Sequence, residues 1–328
     1  MKTVVMQFMF VLFFPALGAA TLGGDLNPPA PPSAGGTMKT LEEVEPRIAI
    51  PASDTPVGTY TISQPGSYYL MGDRYCSADG IQVDADNVTI DLMGYSLIGT
   101  DSGSGNGINI GGQKNVEIRN GTILDFGQNG IYSGDITSSK NHRVLNVRAI
   151  SNKGNGIFLL GEGNLIKDCT AAENAEGSAR SYAYGIYAGT GSTVVNNTAG
   201  SNGRNSEGRA YGIYAYLSTV IGNTASNNGY ESEDVVFGIC ATGGTVRGNS
   251  AYSNGTKATG STVYGIYCGP GCAVVGNTAY RNGIDAVSAV YGIGLAGQSL
   301  VDQNSAYDNN GTNMSSPGSC TYGTNHAP

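Results

Sequence analysis

The chain has 328 residues, of which 51 are glycine, 13% are charged and 40% are hydrophobic. This composition argues against a helical bundle or coiled coil, and 12 prolines without strict Gly-X-Y order exclude collagen. The hydrophobic fraction can supply a core, which argues against wholesale disorder. The net charge is −8 and no basic patch is visible, so nucleic acid is not an expected partner.

Residues 1–20 have the composition of a secretory signal peptide. Lys2 supplies the positive charge, residues 4–17 are almost wholly apolar, and small residues precede a cleavage site after Ala20. No later segment approaches 18 consecutive apolar residues, so no membrane span is expected. The predicted location is outside the cytoplasm: secreted, periplasmic or at the cell surface.

Residues 21–36 are rich in Pro and Gly and are predicted to form a linker. Residues 37–56 are predicted to form a short N-terminal capping segment. Thr40 and Glu43 have the spacing of a helix capping box and Pro46 would end a helix, which predicts one or two helical turns there.

The main signal is an internal repeat of a Gly-Ile pair every 23 to 29 residues. The isoleucines of the nine pairs are Ile81, Ile108, Ile131, Ile157, Ile186, Ile213, Ile239, Ile266 and Ile293. About 12 residues after each pair comes a second series, namely Asn120, Asn197, Asn223, Asn249, Asn277 and Asn304, with Cys169 at the equivalent place. A third series consists of Asn-Gly pairs at Asn202, Asn228, Asn254, Asn282 and Asn310.

Three short β-type segments per repeat, separated by Gly and Asn turns, predict an all-β parallel β-helix of about nine to ten coils over residues 57–311. Residues 312–328 are predicted to be a polar C-terminal tail. The isoleucines should form one buried stack, and a second should contain Val116, Val194, Val220, Val246 and Val274. The first Asn series is predicted to be an inward ladder of hydrogen-bonded amides.

The sequence resembles the secreted right-handed parallel β-helix repeat proteins of the pectate-lyase-like superfamily. The residues that carry the resemblance are 45–47 (EPR), 62–70 (ISQPGSYYL), 80–92 (GIQVDADNVTIDL) and the Gly-Ile and Asn-Thr-Ala coils, together about residues 38–311. The resemblance implies a right-handed, single-stranded solenoid. The superfamily contains lyases, hydrolases, epimerases and adhesins, so the fold does not determine the activity.

The residue after each inward Ile should point outward. In successive coils these residues include Tyr132, Phe158, Tyr187, Tyr214 and Tyr267, with Cys240 between the last two. If the preceding glycines also face outward, they leave a flat Tyr/Gly strip that an extracellular polysaccharide could contact. The alternative is that stacked aromatic side chains only support one another. A further aromatic series, Tyr184, Tyr211, Phe237, Tyr264 and Tyr291, is predicted to pack inward or at the corner.

Catalytic motifs of the resembled superfamily are not recognised in the sequence. The Gly-His-Gly element of its hydrolases and the D-P-H-E-like run of its epimerases are absent. Asp91 aligns with Arg119 in the next coil, as Thr89 does with Glu117, and we expect a surface ion pair. His142 and His326 lack a carboxylate neighbour in the sequence and are predicted to be structural or surface residues.

No cofactor is expected, with Ca²⁺ at Asp84, Asp86 and Asn87 as the alternative, although turns also favour these residues. Six cysteines in an exported chain can pair, and Cys268 and Cys272 could close a small loop; the sequence does not select among the 15 pairings. Cys169 is expected to be a free, buried thiol.

The sequence leaves three functions open. The first is recognition of extracellular polysaccharide along the Tyr/Gly strip without a catalytic site. The second is a polysaccharide lyase or a related carbohydrate-active enzyme. The third is a structural or adhesive surface rod. Whether the protein is an enzyme, and its oligomeric state, are not determined by the sequence.

Overall fold

The computed structural model describes residues 46–328 except 102, 104, 178, 180 and 316. The signal peptide, the linker and the helical turn predicted around Thr40 and Glu43 lie outside these residues. The described part is a right-handed parallel β-helix of about nine turns, as predicted, and its elements are strands and turns without a helix. Accordingly, no described segment is a helix long and apolar enough to cross a bilayer.

Thirty parallel strands form three faces, which we name after the residues they bury. The Gly-Ile face contains Tyr60–Ile62, Ile81–Val83, Ile108–Asn109, Ile131–Ser133, Ile157–Leu159, Tyr182–Ala188, Thr262–Cys268, Ala289–Leu295 and Thr312–Met314. The Val face contains Ile48–Ile50, Gly66–Leu70, Val88–Asp91, Leu165–Lys167, Thr193–Val195, Cys272–Val275, Leu300–Asp302 and Thr321–Tyr322. The Ala face contains Ser53–Val57, Arg74–Cys76, Ser96–Ile98, Thr170–Ala172, Thr198–Gly200, Thr224–Ser226, Ser250–Tyr252, Thr278–Tyr280 and Ser305–Tyr307.

Four longer strands turn a corner and belong to two faces. Glu117–Leu124 and Arg143–Ile150 join the Val and Ala faces, whereas Arg209–Ile221 and Val236–Arg247 join the Gly-Ile and Val faces. Strands on either side of the predicted residues 57–311 also pair with the coils, from Ile48–Ile50 at one end to Thr321–Tyr322 at the other. The stacked region is therefore longer than the sequence indicated.

The predicted isoleucine stack is confirmed. All nine isoleucines are completely buried, and each is in register with the isoleucine of the next coil, as in Ile186 with Ile213. Burial of such a side chain contributes about 1.5–3 kcal/mol, so the stack is a major part of the core.

The second aliphatic stack differs from the prediction at Val116. Val194, Val220, Val246 and Val274 are stacked, but the residue that continues the stack in the coil of Val116 is Ile118. Val116 is buried two residues earlier in the chain. Because side chains alternate along a strand, both residues point inward and the sequence pattern alone does not separate them.

The inward Asn ladder exists, but Asn120 is not part of it. The side chains from Asn197 to Asn304 are buried, and from Asn223 onward each accepts hydrogen bonds through Oδ1 from the preceding Asn. Asn197 Oδ1 accepts from the backbone N–H of Cys169. Asn120 has a left-handed backbone and lies outside, where it accepts a hydrogen bond from Asn146. In the buried register its coil has Gly121, which pairs with Val147. Cys169 lies in the ladder as predicted, and burial raises the pKa of its thiol to about 12.

The Asn-Gly pairs, predicted only as turns, form a second buried ladder. Asn202 Nδ2 donates to Asn228 Oδ1 (2.9 Å) and to the backbone oxygen of Ala171 (2.9 Å), and this pattern repeats from Asn174 to Asn282. Asn309, rather than Asn310, continues it. Each amide thus bonds to a backbone carbonyl and to its neighbour within the buried interior.

Candidate functional site

The predicted aromatic residues do lie side by side on the outside of the Gly-Ile face. We call the series Tyr132, Phe158, Tyr187, Tyr214, Cys240 and Tyr267 the outer row. Its ring centroids are 5.7 Å apart for Tyr132 and Phe158, and 4.6 Å for Phe158 and Tyr187. Tyr187 and Tyr214 are 5.0 Å apart. The five aromatic residues selected from the sequence therefore form one surface, interrupted at Cys240.

The second aromatic series was predicted to pack inward or at the corner, and the inward alternative is wrong. Tyr184, Tyr211, Phe237, Tyr264 and Tyr291, the inner row, stack on one another at 4.7–5.3 Å on the same outward face. They also contact the outer row edge to face, as Tyr211 does with Tyr214 at 5.5 Å. Together the two rows form a continuous surface two side chains wide, which we call the aromatic face.

The glycine of each Gly-Ile pair explains the difference. Gly185 and Ile186 are consecutive and both buried, so the alternation of side chains breaks at the glycine. The strand pairing skips the glycine in the same way, since Tyr184 pairs with Tyr211 and Ile186 with Ile213. The prediction that these glycines face outward is therefore wrong, and the surface is aromatic on both sides of the Gly-Ile step.

The inward side of Gly185 is filled by the second Asn ladder. A Cβ at Gly185 would lie 2.5 Å from Asn202 Nδ2, and one at Gly212 would lie 2.5 Å from Asn228 Nδ2. The structure gives the same direction for the inner row: Ala183, between Tyr182 and Tyr184, is completely buried, so the residues on either side of it point out.

Most ring faces of the aromatic face are covered by other rings. Tyr187 and Tyr214 are inclined by only 16°, and Tyr211 and Phe237 by 9°, so these rings stack face to face along the solenoid. A ligand lying along the surface therefore meets ring edges and phenol hydroxyls over most of its length.

The phenols of Tyr187, Tyr214 and Tyr267 remain protonated near neutral pH. Burial is the main cause that raises the pKa of Tyr187, Tyr214 and Tyr267 above the usual 10, with neighbouring phenols and thiols adding to it. These hydroxyls can thus donate hydrogen bonds as well as accept them.

Charged residues near the aromatic face are paired. The guanidinium of Arg209 lies 3.6 Å from the Asp234 carboxylate. The predicted ion pair between Arg119 and Asp91 (2.9 Å) is present on the Val face, away from the aromatic face. There Glu117 also contacts Arg119 and Arg143, both at 3.0 Å.

The described residues contain no group of three or more His, Cys, Asp or Glu side chains arranged to hold a metal ion. At the segment named as a Ca²⁺ alternative, Asp84 accepts a hydrogen bond from Gln82 and Asp86 from the backbone of Lys114. The two carboxylates thus already have partners within the protein.

His142 is completely buried and neutral. Its Nδ1 accepts a hydrogen bond from the backbone N–H of Val116 (3.3 Å), so Nε2 carries the proton and donates it to Ser139 Oγ (2.7 Å). Ser139 in turn contacts Ser133, whose hydroxyl donates to the backbone oxygen of Gly111. Burial lowers the pKa of His142 from 6.5 to about 4.

This imidazole makes stability depend on pH. In the unfolded chain it takes up a proton as the pH falls below about 6.5, whereas in the folded protein it does so only near 4, so acid favours unfolding in this window. We expect the free energy of unfolding to fall by up to about 3 kcal/mol from this group between pH 7 and pH 4. Urea denaturation across this range should show a shallower pH dependence for His142→Asn, which cannot titrate. Equal slopes in the two proteins would contradict this assignment.

All six cysteines are free thiols in the structure. Cys240, Cys268 and Cys272 are buried close to one another beneath the Tyr267 end of the aromatic face, and Cys268 hydrogen-bonds to Cys272. Burial raises the pKa of the Cys240 thiol, so this group is protonated and unreactive.

No protein-family model matches the sequence, and a search of curated proteins finds no match. Similar solved structures do exist. The A-module of the Azotobacter vinelandii mannuronan C-5 epimerase AlgE4 has a TM-score of 0.57 at 14% identity, over 80% of this chain and 86% of that one. The A-module of AlgE6 from the same organism has a TM-score of 0.48 at 16% identity, over 80% of this chain and 82% of that one. The catalytic unit of a GH87 α-1,3-glucanase from Streptomyces thermodiastaticus has a TM-score of 0.41 at 14% identity, over 86% of this chain and 62% of that one. At these identities the comparison establishes the fold alone: the chain is a parallel β-helix like the pectate-lyase-like proteins that its sequence resembles.

Proposed function

We propose that this protein is exported and binds an extended extracellular polysaccharide along the aromatic face. The observation that carries the proposal is the repetition of rings on that face, because the coils of Tyr187, Tyr214 and Tyr267 each present one inner-row and one outer-row ring. Stacked rings of adjacent coils lie near 5 Å apart. A regular polymer can make the same contact many times on such a surface, so affinity rises with chain length. The AlgE4 module, named for a mannuronan epimerase, is a parallel β-helix associated with a polysaccharide, which makes this ligand class reasonable for the fold.

The chemistry of the surface favours a neutral or weakly charged glycan. The edges and hydroxyls of Tyr187, Tyr214 and Tyr267 offer apolar contact and hydrogen bonds at the same place. The nearby cation Arg209 is neutralised by Asp234, so no row of positive charge meets an anionic polymer. We propose binding without catalysis, since the strongest charge cluster, around Arg119, is ion-paired and on another face.

The test compares two triple variants. Changing Tyr187, Tyr214 and Tyr267 together to Ala should weaken binding to dextran, laminarin or alginate on the order of 100-fold, since each ring contributes about 1 kcal/mol. The matched control changes Tyr252, Tyr280 and Tyr307, a half-buried row stacked at 5.0 and 5.4 Å on the Ala face, and should retain affinity. Affinity electrophoresis measures both.

Retention of binding by the first variant, with an unchanged circular dichroism spectrum, would show that the aromatic face is only structural. Failure of the unaltered protein to bind any of the three polymers would favour the rod instead. Release of unsaturated or shortened products from a bound polymer would favour the lyase or another carbohydrate-active enzyme.

A further inference from the structure

The outer row is interrupted once between Tyr132 and Tyr267, at Cys240. Cys240 is in register with Tyr214 of the preceding coil and with Tyr267 of the following one. Its small side chain leaves a cavity of about 350 Å³ where the other coils have a ring. The cavity, which we call the Cys240 slot, is lined by residues that include Arg209, Tyr211, Tyr214, Phe237, Thr242 and Tyr267.

The size of the slot follows from the coil spacing. Two coil steps of about 4.8 Å place Tyr214 and Tyr267 about 10 Å apart. A ring inserted midway would lie about 5 Å from each, which is the distance at which Tyr187 stacks on Tyr214. Tyr211 and Phe237 of the inner row, both nearly buried, close the back. The slot therefore has room for one six-membered ring.

The slot also contains an unused polar group. Thr242 Oγ1 is buried and has no hydrogen-bond partner among the described residues. Thr242 Oγ1 is close enough to the Tyr214 hydroxyl to lower the pKa of that phenol, which opposes the larger effect of burial. The two hydroxyls do not meet the geometry of a hydrogen bond. A buried hydroxyl without a partner is unfavourable, and a ligand hydroxyl would supply the missing hydrogen bond.

The charge at the slot is balanced, because the Arg209 guanidinium at its edge faces Asp234. Apolar walls, one free hydroxyl and no net charge together fit a ring that is apolar on its faces and carries hydroxyls at its rim. A neutral pyranose has this chemistry; a carboxylated or phosphorylated ring would need an unpaired cation.

We propose that the Cys240 slot is a binding subsite for one pyranose ring of a polysaccharide. The ring lies between Tyr214 and Tyr267, and one of its hydroxyls bonds to Thr242 Oγ1. This inference rests on the proposed function and adds to it the position at which the polymer is held most firmly, since no ring of the protein fills the outer row there.

The test fills the slot without removing the aromatic face. Cys240→Tyr restores the missing ring and should lower affinity for dextran or laminarin at least tenfold while leaving the melting temperature unchanged or higher. Cys240→Ala keeps the slot open and should bind within twofold of the unaltered protein. Thr242→Val, which removes only the hydroxyl, should bind about fivefold more weakly and serves as an independent test if Cys240→Tyr does not fold.

The outcomes separate the two proposals. If Cys240→Tyr and Thr242→Val both bind normally while the Tyr187, Tyr214 and Tyr267 triple variant does not, the slot is not a subsite and the proposed function stands. If the unaltered protein binds neither dextran nor laminarin, the inference of a neutral pyranose in the slot is overturned. If it then binds alginate, the proposed function of polysaccharide binding still stands. Loss of binding in Cys240→Ala as well as in Cys240→Tyr would assign the effect to the thiol and would also overturn the subsite.

Discussion

Replacement of Asn249 by Leu is expected to lower the free energy of unfolding by about 2–6 kcal/mol. Asn249 Nδ2 donates to Val220 O and to Asn277 Oδ1, both at 2.9 Å. Its Oδ1 accepts from the backbone and side-chain nitrogens of Asn223, at 2.9 and 3.0 Å. Leu has a similar size but leaves the Asn223 backbone N–H buried without a partner, and it removes the side-chain donor to the Val220 carbonyl and to Asn277.

Thr245→Leu is the matched control, four residues earlier and half-exposed on the strand Val236–Arg247 that precedes Asn249. It should change stability by less than about 1 kcal/mol, because no buried polar group loses its partner. Urea denaturation followed by circular dichroism measures both variants. If the two variants had equal midpoints, the ladder would not be the stabilising element that its hydrogen bonds indicate.

Replacement of Gly212 by Ala is expected to cost about 3 kcal/mol or more, an unusually large effect for one methyl group. A Cβ at this position would lie 2.5 Å from Asn228 Nδ2 and 2.6 Å from the backbone oxygen of Gly238. Neither neighbour can move freely, because Asn228 is held in the buried ladder and Gly238 in the adjacent strand. The strain would therefore displace the strand that carries Tyr211 and Tyr214.

Gly58→Ala supplies the comparison for this effect. Gly58 is exposed, and a Cβ there would have no atom within 4 Å. The free energy of unfolding of Gly58→Ala should therefore stay within about 0.5 kcal/mol of the unaltered protein. Thermal unfolding of the two variants is sufficient to separate them. If the melting temperature of Gly212→Ala were close to that of Gly58→Ala, neighbouring coils would be able to move and accommodate the added methyl group, contrary to this prediction.

The sequence alone was sufficient for the repeat, the β-helix and the identity of its main stack. A period near 27 residues carries nine isoleucines, and stacking of equivalent residues in neighbouring coils buries them all. The same periodicity brought together the aromatic residues of the outer row. These features were predictable because each depends on the repeat itself, which places like residues above one another whatever the detailed path of the chain within a coil.

Only the tertiary structure decided which way the residues around each glycine point. Alternation along a strand predicts that Gly185 faces out and Tyr184 in, yet two consecutive residues turn inward because the Asn202 amide leaves room for a glycine and nothing larger. The contact joins residues 17 positions apart in the chain, and local pattern does not contain it. Local pattern also fails at Asn120. Its spacing is that of a ladder residue, but the neighbouring coil pairs with Gly121, which therefore occupies the buried position. Contacts between neighbouring coils decide which side chains point inward and which point outward. The width of the aromatic face and the slot at Cys240 both depend on this direction.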